Sequence, residues 1–295
     1  MKSSIPVYGI ENLKAYKNDG ILVSRFGVYA NQHHHLHRAH RHTFYHLVFF
    51  TDGEGTQKID FKQFPVKPGL IYFMAPGQVH SWDFTAPPEG YIINFSSDYL
   101  GSFLWKKDYL DQFVFFNGQP EDQVYELPTE LQKKITTIFE DILREGQHQE
   151  PVDDDLVKTL LLRLFIEMGR YTLSAQRMGG NAYNHTLLKS FQQLIATNYT
   201  ELRLPKQYAA LLYITPNHLN ALCNDFLGMS AGKLIRDRVI LEAKRLLVNL
   251  DLRIAEIAER LNFADQSYFI KFFKKYEGLT PEKFRKLNTT AHGNQ

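Results

Sequence analysis

The sequence predicts a multidomain chain: an N-terminal all-β barrel with flanking helices, then an all-α domain in which two helix-turn-helix units are joined by a long helix. Three observations predict it. Residues 43–97 alternate β-branched and aromatic runs with Gly and Pro turns, the apolar spacing turns helical from Leu127 onward, and the last third matches itself at a shift of 49 to 50 residues. At roughly 150 residues per domain, 295 residues suffice for two.

In the first part, TFYHLVFFT, TQKIDF, LIYFM, VHSWDF and YIINFS are separated by DGEG, VKPG, APGQ and APPEG. Short strands with turns every ~8–12 residues build a sandwich or a barrel. Behind them Leu131, Ile135, Ile138 and Ile142, and then Val157, Leu161, Leu164 and Met168, repeat the spacing of one helix face. Pro128 suits a first helical turn, and Asp153 to Asp155 place acid at the start of the second helix. Such a seam fits a helical hairpin capping the barrel, or a homodimer interface on at least one of the two helices. The stretch SAQRMGGNAYN (174–184) reads as a linker. The division is thus a barrel domain over 1–125, a helical region suited to dimerisation over 126–173, a linker over 174–185 and a second domain over 186–295.

Composition narrows the function classes. With 44% apolar and 22% charged residues the chain is an ordinary folded protein rather than a disordered one. The lone Cys223 cannot form an intramolecular disulfide, which fits a reducing compartment, and no run reaches the ~20 apolar residues of a membrane span. MKSSIPVYGIENLK lacks the apolar run of a signal peptide, so the expected location is cytoplasmic, with no membrane partner. The net charge of +2 is an average. Residues 1–180 hold 18 Lys/Arg against 22 Asp/Glu, or −4, whereas residues 181–295 hold 16 against 10, or +6. The basic surplus sits in the repeated helical third.

There, helices are expected over 186–198, 205–211, 216–227, 230–248, 253–261, 266–276 and 281–287. Thr215 before Pro216 and Thr280 before Pro281 are helix caps. Ala209, Leu212 and Ile214 match Ala258, Leu261 and Phe263. His218, Leu219, Leu222, Gly228 and Ser230 match Tyr268, Phe269, Phe272, Gly278 and Thr280. Each unit is a short helix with a small inner residue, a tight turn and a second helix. Asn262 suits a left-handed turn position, and Gly228 and Gly278 suit left-handed caps. In the first unit Leu219, Leu222, Cys223 and Phe226 point inward, which leaves Asn217, His218, Asn220, Ala221 and Asn224 facing out. In the second, Phe269, Phe272, Phe273 and Tyr276 point inward, which leaves Gln266, Ser267, Ile270, Lys271, Lys274 and Lys275. Asn and Gln can read adenine, Lys reaches guanine or phosphate, and apolar groups meet thymine methyls. Two such units place their second helices in successive major grooves about 34 Å apart.

On these residues the chain resembles the AraC/XylS family of transcription regulators. The resemblance is carried by ILEAKRLLVNLDLRIAEIAERLNFADQSYFIKFFKKYEGLTPEKFR (240–285) and by ITPNHLNALCNDFLGMS (214–230). It implies a seven-helix DNA-binding domain, with base-reading positions at Asn217, Asn220, Ala221, Gln266, Ser267, Ile270 and Lys271. Ala221 stands where many members have Arg, Asn224 and Asp225 stand where Lys is common, and Asn262 replaces a usual Gly. The second unit is therefore expected to supply more of the affinity.

Seven of the twelve histidines fall between His33 and His46. His40-x-His42-x3-His46, followed by Pro76-Gly77-x2-His80, resembles the two cupin motifs, with His46 where metal cupins have Glu. Alternate residues of a strand share a face, so His40, His42, His46 and His80 are candidate ligands for one metal. The resemblance implies otherwise: regulatory cupins of this family look metal-free and the carboxylate is missing. No metal or cofactor is expected, His42 and His80 are expected as hydrogen-bonded residues at the barrel mouth, and His33 to His37 are expected in a solvated arm. A barrel lined by Phe44, His46, Tyr72, His80 and Trp82 would hold one small ligand.

Together these readings give a sequence-specific DNA-binding transcription regulator, not an enzyme. It is expected to be an effector-responsive activator acting as a homodimer on double-stranded DNA, with RNA polymerase a further candidate partner. Two alternatives stand beside it: a metal-dependent cupin sensor or enzyme fused to a DNA-binding domain, and a ligand-independent dimeric regulator.

Overall fold

A computed structural model describes residues 5–13, 20–101, 103–104, 106, 109–146, 151–177 and 182–290. The chain divides into two units, Pro6–Ala175 and a second that begins at Gln176.

The first unit is built on one eight-stranded sheet. Its strands are β1 (Val7–Tyr8), β2 (Ile21–Arg25), β3 (His40–His42), β4 (Tyr45–Ile59), β5 (Lys62–Val66), β6 (Leu70–Met74), β7 (Val79–Phe95) and β8 (Val124–Glu126). The path runs β1-β3-β7-β4-β6-β8, with β2 added on β7 and β5 on β4. The long antiparallel pair β4 and β7 slips register between Phe50 and Gly55, as β-bulges do. Gly55 and Gly90 carry φ of 149° and 145°, and a Cβ on either would meet backbone oxygen across the pair, Asp83 O and Phe49 O respectively. Only glycine fits there.

Strand alternation sorts the core into two layers. Leu47, Phe49, Ile71, Phe73, Tyr91, Ile93 and Phe95 face one way, toward the helices α3 (Thr129–Glu145) and α4 (Pro151–Arg177). Phe44, Val48, Phe50, Tyr72, Trp82 and Ile92 face the other way, into the curl of the sheet, with Phe26 and Tyr29 of α1 (Phe26–Gln32). Ile135, Ile138, Phe139 and Ile142 of α3 and Val157, Leu161, Leu164 and Met168 of α4 lie in the first layer, with Tyr99 and Leu100 of α2 (Ser97–Gly101). The apolar seam of both helices is thus spent on the sheet.

Two local expectations are corrected. The stretch 174–184 is helical up to Arg177 and again from Ala182, because Ser, Ala, Gln and Arg continue a helix and only 178–181 fall outside the described residues. His33 to His37 are not a solvated arm. His33 is buried with its Nδ1 2.9 Å from Tyr29 O and its ring stacked on Tyr29, while Leu36 is fully buried in a short turn over 34–37. Residues ahead of them enter the sheet as β1 and β2.

The second unit is helical: α5 (Ala182–Asn198), α6 (Pro205–Leu211), α7 (Pro216–Leu227), α8 (Ala231–Leu247), α9 (Ile254–Arg260), α10 (Gln266–Glu277) and α11 (Pro281–Thr290). The caps behave as expected. Thr215 Oγ1 accepts from His218 N, Thr280 Oγ1 from Lys283 N, and Gly228 and Gly278 carry φ of 64° and 79°. Ala209 and Ala258 are buried, so the two helices of each unit approach closely. No described helix is long and apolar enough to cross a membrane.

Candidate nucleic-acid interface

Helices α7 and α10 are the second helices of the two units, and their solvent faces correspond position by position. Asn217, His218, Ala221 and Asn224 are exposed on α7; Gln266, Ser267, Lys271, Lys274 and Lys275 are exposed on α10. Ile270 and Asn220 occupy equivalent half-buried positions. Beneath them Leu219, Leu222 and Cys223, and Phe269 and Phe273, are buried. Cys223 sits in apolar surroundings that push its thiol up to about 11, which removes it as a nucleophile near neutral pH.

Three residues depart from the expected assignment. Asn220 Oδ1 accepts a hydrogen bond from Ala231 N at 3.1 Å, so its acceptor is engaged at the first turn of α8. Tyr276 is 43% exposed rather than inward, lying under the Arg236 guanidinium at 5.1 Å. A full turn C-terminal to Phe272, it packs edge-on against that ring, whose centroid is 5.0 Å away. Tyr268, the counterpart of His218, is 57% exposed and joins the outward face.

The turns were half legible. Asn262 has φ 54°, as its side chain suggested, but the residue 49 positions earlier is Tyr213, at φ 55° and 96% exposed. A bulky residue rarely adopts this conformation. The repeat spacing alone could have flagged it, since Tyr213 holds the place of Asn262 in the first unit.

Polar contacts tie the elements of the helical domain together. The Arg203 guanidinium stacks over Phe263 at 4.7 Å and donates to Leu261 O, tying the segment before α6 to the turn of the second unit. On α8, Glu242 lies between Arg238 at 2.8 Å and Arg245 at 3.3 Å, and Arg238 also stacks on Tyr199 at 4.1 Å. Burial raises the Glu242 carboxyl, yet the two guanidinium groups outweigh it and hold the carboxyl below its ordinary value. Lys244 pairs with Glu277 at 2.7 Å, which joins α8 to α10.

Inside the barrel, Phe44, His46, Tyr72, His80 and Trp82 are all buried. His46 Nδ1 lies 2.6 Å from Asn94 Oδ1, and burial pushes His46 down to about 3. Antiparallel pairing sets His40 opposite His80, and His42 shares their face. His42 Nε2 lies 3.1 Å from His40 Nε2 and 2.6 Å from His80 Nε2. His42 and His80 are thus buried in ring-nitrogen contact with each other, and burial drives both far below the usual histidine range.

The AraC-like ligand binding domain family matches residues 22–165 and the helix-turn-helix domain family matches residues 208–287. The chain belongs to the AraC family. Among relatives of this AraC-family chain is the HTH-type transcriptional activator RhaR of Cronobacter sakazakii, 23% identical over 83% of this chain and 86% of its own. The arabinose operon regulatory protein of Escherichia coli is 26% identical over 79% of this chain and 77% of its own. The probable transcription factor PqrA of Proteus vulgaris is 39% identical over 24% of this chain and 59% of its own. This AraC-family chain is accordingly a DNA-binding transcription regulator that carries a ligand-binding domain.

Proposed function

We propose that the chain is an effector-responsive activator that works in the cytoplasm as a homodimer on double-stranded DNA, recruiting RNA polymerase rather than catalysing a reaction. One observation carries the DNA reading: α7 and α10 present equivalent outward faces on equivalent buried supports, so each can enter a major groove in the same manner. Asn217, His218, Ala221 and Asn224 face bases or phosphates from the first unit, and Gln266, Ser267, Ile270, Lys271, Lys274 and Lys275 from the second. Asn220 belongs with the scaffold of α8 in this reading. The activator role is supported by the relative named as a transcriptional activator. Dimerisation falls to surfaces other than the buried seam, and Leu156 and Ile166 are apolar side chains that α4 leaves exposed. The barrel unit takes the effector among Phe44, His46, Tyr72, His80 and Trp82, and an effector acts only by binding one arrangement of the DNA-binding units better than another.

Binding-site selection with the full-length protein tests the DNA reading. It should return a site with two recognised boxes per chain, spaced by about 10–10.5 base pairs. A single box, or no sequence preference over random DNA, contradicts it.

A further inference from the structure

We propose that His40, His42 and His80 form a metal site within the barrel that takes one divalent transition ion of the Zn²⁺ class. The three side chains converge: one ring nitrogen from each lies within 4.8 Å of the others, and all three residues are buried. Strand register makes the convergence. His40 and His42 point to one face of β3, and the pairing of His40 with His80 brings in the third ring from β7.

Proton accounting separates this cluster from an ordinary hydrogen-bonded core. His40 Nδ1 stands 2.7 Å from Arg38 O, an acceptor, so Nδ1 carries the proton and a neutral His40 turns a bare Nε2 lone pair inward. A backbone carbonyl that fixes the ligand tautomer in this way is the usual outer partner of a metal-bound imidazole. His42 Nε2 then meets two other Nε2 atoms at once, at 3.1 and 2.6 Å. A single proton on His42 Nε2 can point along only one of these two lines, which leaves the other ring nitrogen poorly matched. Charging the rings instead is opposed by the burial of His40, His42 and His80, which strips a cationic imidazole of water. The Nδ1 atoms of His42 and His80 are buried with no hydrogen-bond partner among the described residues. A cation at the common focus turns three opposed lone pairs into three bonds.

The dimensions and donors fit. In a tetrahedral site with Zn–N of about 2.0–2.1 Å the nitrogens stand roughly 3.3 Å apart, so the His40–His42 pair is nearly placed and His80 withdraws by roughly 0.7 Å. Three neutral imidazoles suit Zn²⁺, Ni²⁺ or Fe²⁺ over Mg²⁺ or Ca²⁺, and they leave a fourth position open to water or another small oxygen donor. His46 lies outside the group of three, its Nδ1 engaged by Asn94. Because the site is in the barrel unit, it stands independently of how α7 and α10 meet DNA.

The test uses full-length protein purified without an affinity tag. Elemental analysis after exhaustive dialysis should find about one Zn²⁺ per chain, and Co²⁺ added to chelator-stripped protein should give the strong visible bands of a four-coordinate nitrogen site. His80→Gln and His40→Gln should each lose both signals while retaining the far-UV circular dichroism of the wild type. His218→Gln, on the exposed face of α7, should keep them. Wild-type protein with less than about a tenth of an equivalent of every transition metal and no Co²⁺ bands overturns the proposal. So does undiminished metal in the folded His80→Gln variant, and the wild-type measurement decides the matter if that variant does not fold.

Discussion

Replacing Asn220 by Ala distinguishes a side chain that reads DNA from one that holds the scaffold. Its Oδ1 accepts from Ala231 N at 3.1 Å, and Ala231 is the fully buried first residue of α8. Amides of a first helical turn have no partner inside their own helix, so the variant leaves this N–H unpaired in the interior. Losing a cap of this kind costs about 1 kcal/mol, and an unpaired buried donor about 1–3 kcal/mol; a value of about 1.5 kcal/mol is appropriate here, since the neighbouring amide of Lys233 keeps its own cap on Ser230. With a urea m-value of about 1.5 kcal/mol/M for a helical unit of this size, the unfolding midpoint falls by about 1 M. Both tryptophans, Trp82 and Trp105, precede residue 176, so fluorescence follows the barrel unit. A shift in the circular dichroism transition without one in fluorescence assigns the loss to the helical unit. Site selection with the variant should return the wild-type consensus. An unmoved midpoint together with a changed consensus would refute the scaffold role and make Asn220 a base reader.

Other consequences are equally accessible. Glu242→Ala removes the carboxylate between the buried Arg238 and Arg245 and should destabilise the helical unit by about 3 kcal/mol, the low end for a broken buried pair because both guanidinium groups keep other contacts, Arg238 that with Tyr199, as read by urea titration. Since the folded state holds the Glu242 carboxyl low, its contribution is complete above the unfolded pKa of about 4.3 and is lost as pH falls through the folded value. The advantage of wild type over Glu242→Gln should therefore be constant from neutral pH down to about pH 5 and shrink below it. Cys223, buried and pushed up to about 11, should react with iodoacetamide at about pH 8 only as fast as the helical unit opens; rapid labelling of native protein would show the α7 support to be looser than described.

What the sequence disclosed depended on how local the cause was. Caps at Thr215 and Thr280, left-handed residues at Asn262, Gly228 and Gly278, and the seams of α3 and α4 are set by neighbours within one or two turns, and each is legible in the residues. The strands β1 and β2 are not: two and five residues long, they exist because β3 and β7 offer edges to pair with. The contact of Asn220 with Ala231 was not legible in the residues, because it spans two helices. Likewise the histidine motif showed which rings could meet, but the depth of burial and the Arg38 carbonyl that fixes the His40 tautomer follow from strand pairing. The basic surplus of +6 in residues 181–295 was countable, whereas its exposure on one face of α10 required the buried positions of Phe269 and Phe273.

If α10 meets DNA, its exposed lysines dock against phosphates, and a salt titration measures this directly. Each phosphate contact contributes about 0.9 to the slope of log K against log salt, or about 0.7 log units of affinity at 0.15 M. Replacing Lys271, Lys274 and Lys275 together by Ala should flatten the slope by about 2.7 per bound chain, weaken binding about a hundredfold at 0.15 M salt, and leave the curves converging near 1 M. Parallel lines for variant and wild type, with equal affinity at 0.15 M, would mean that α10 does not face DNA.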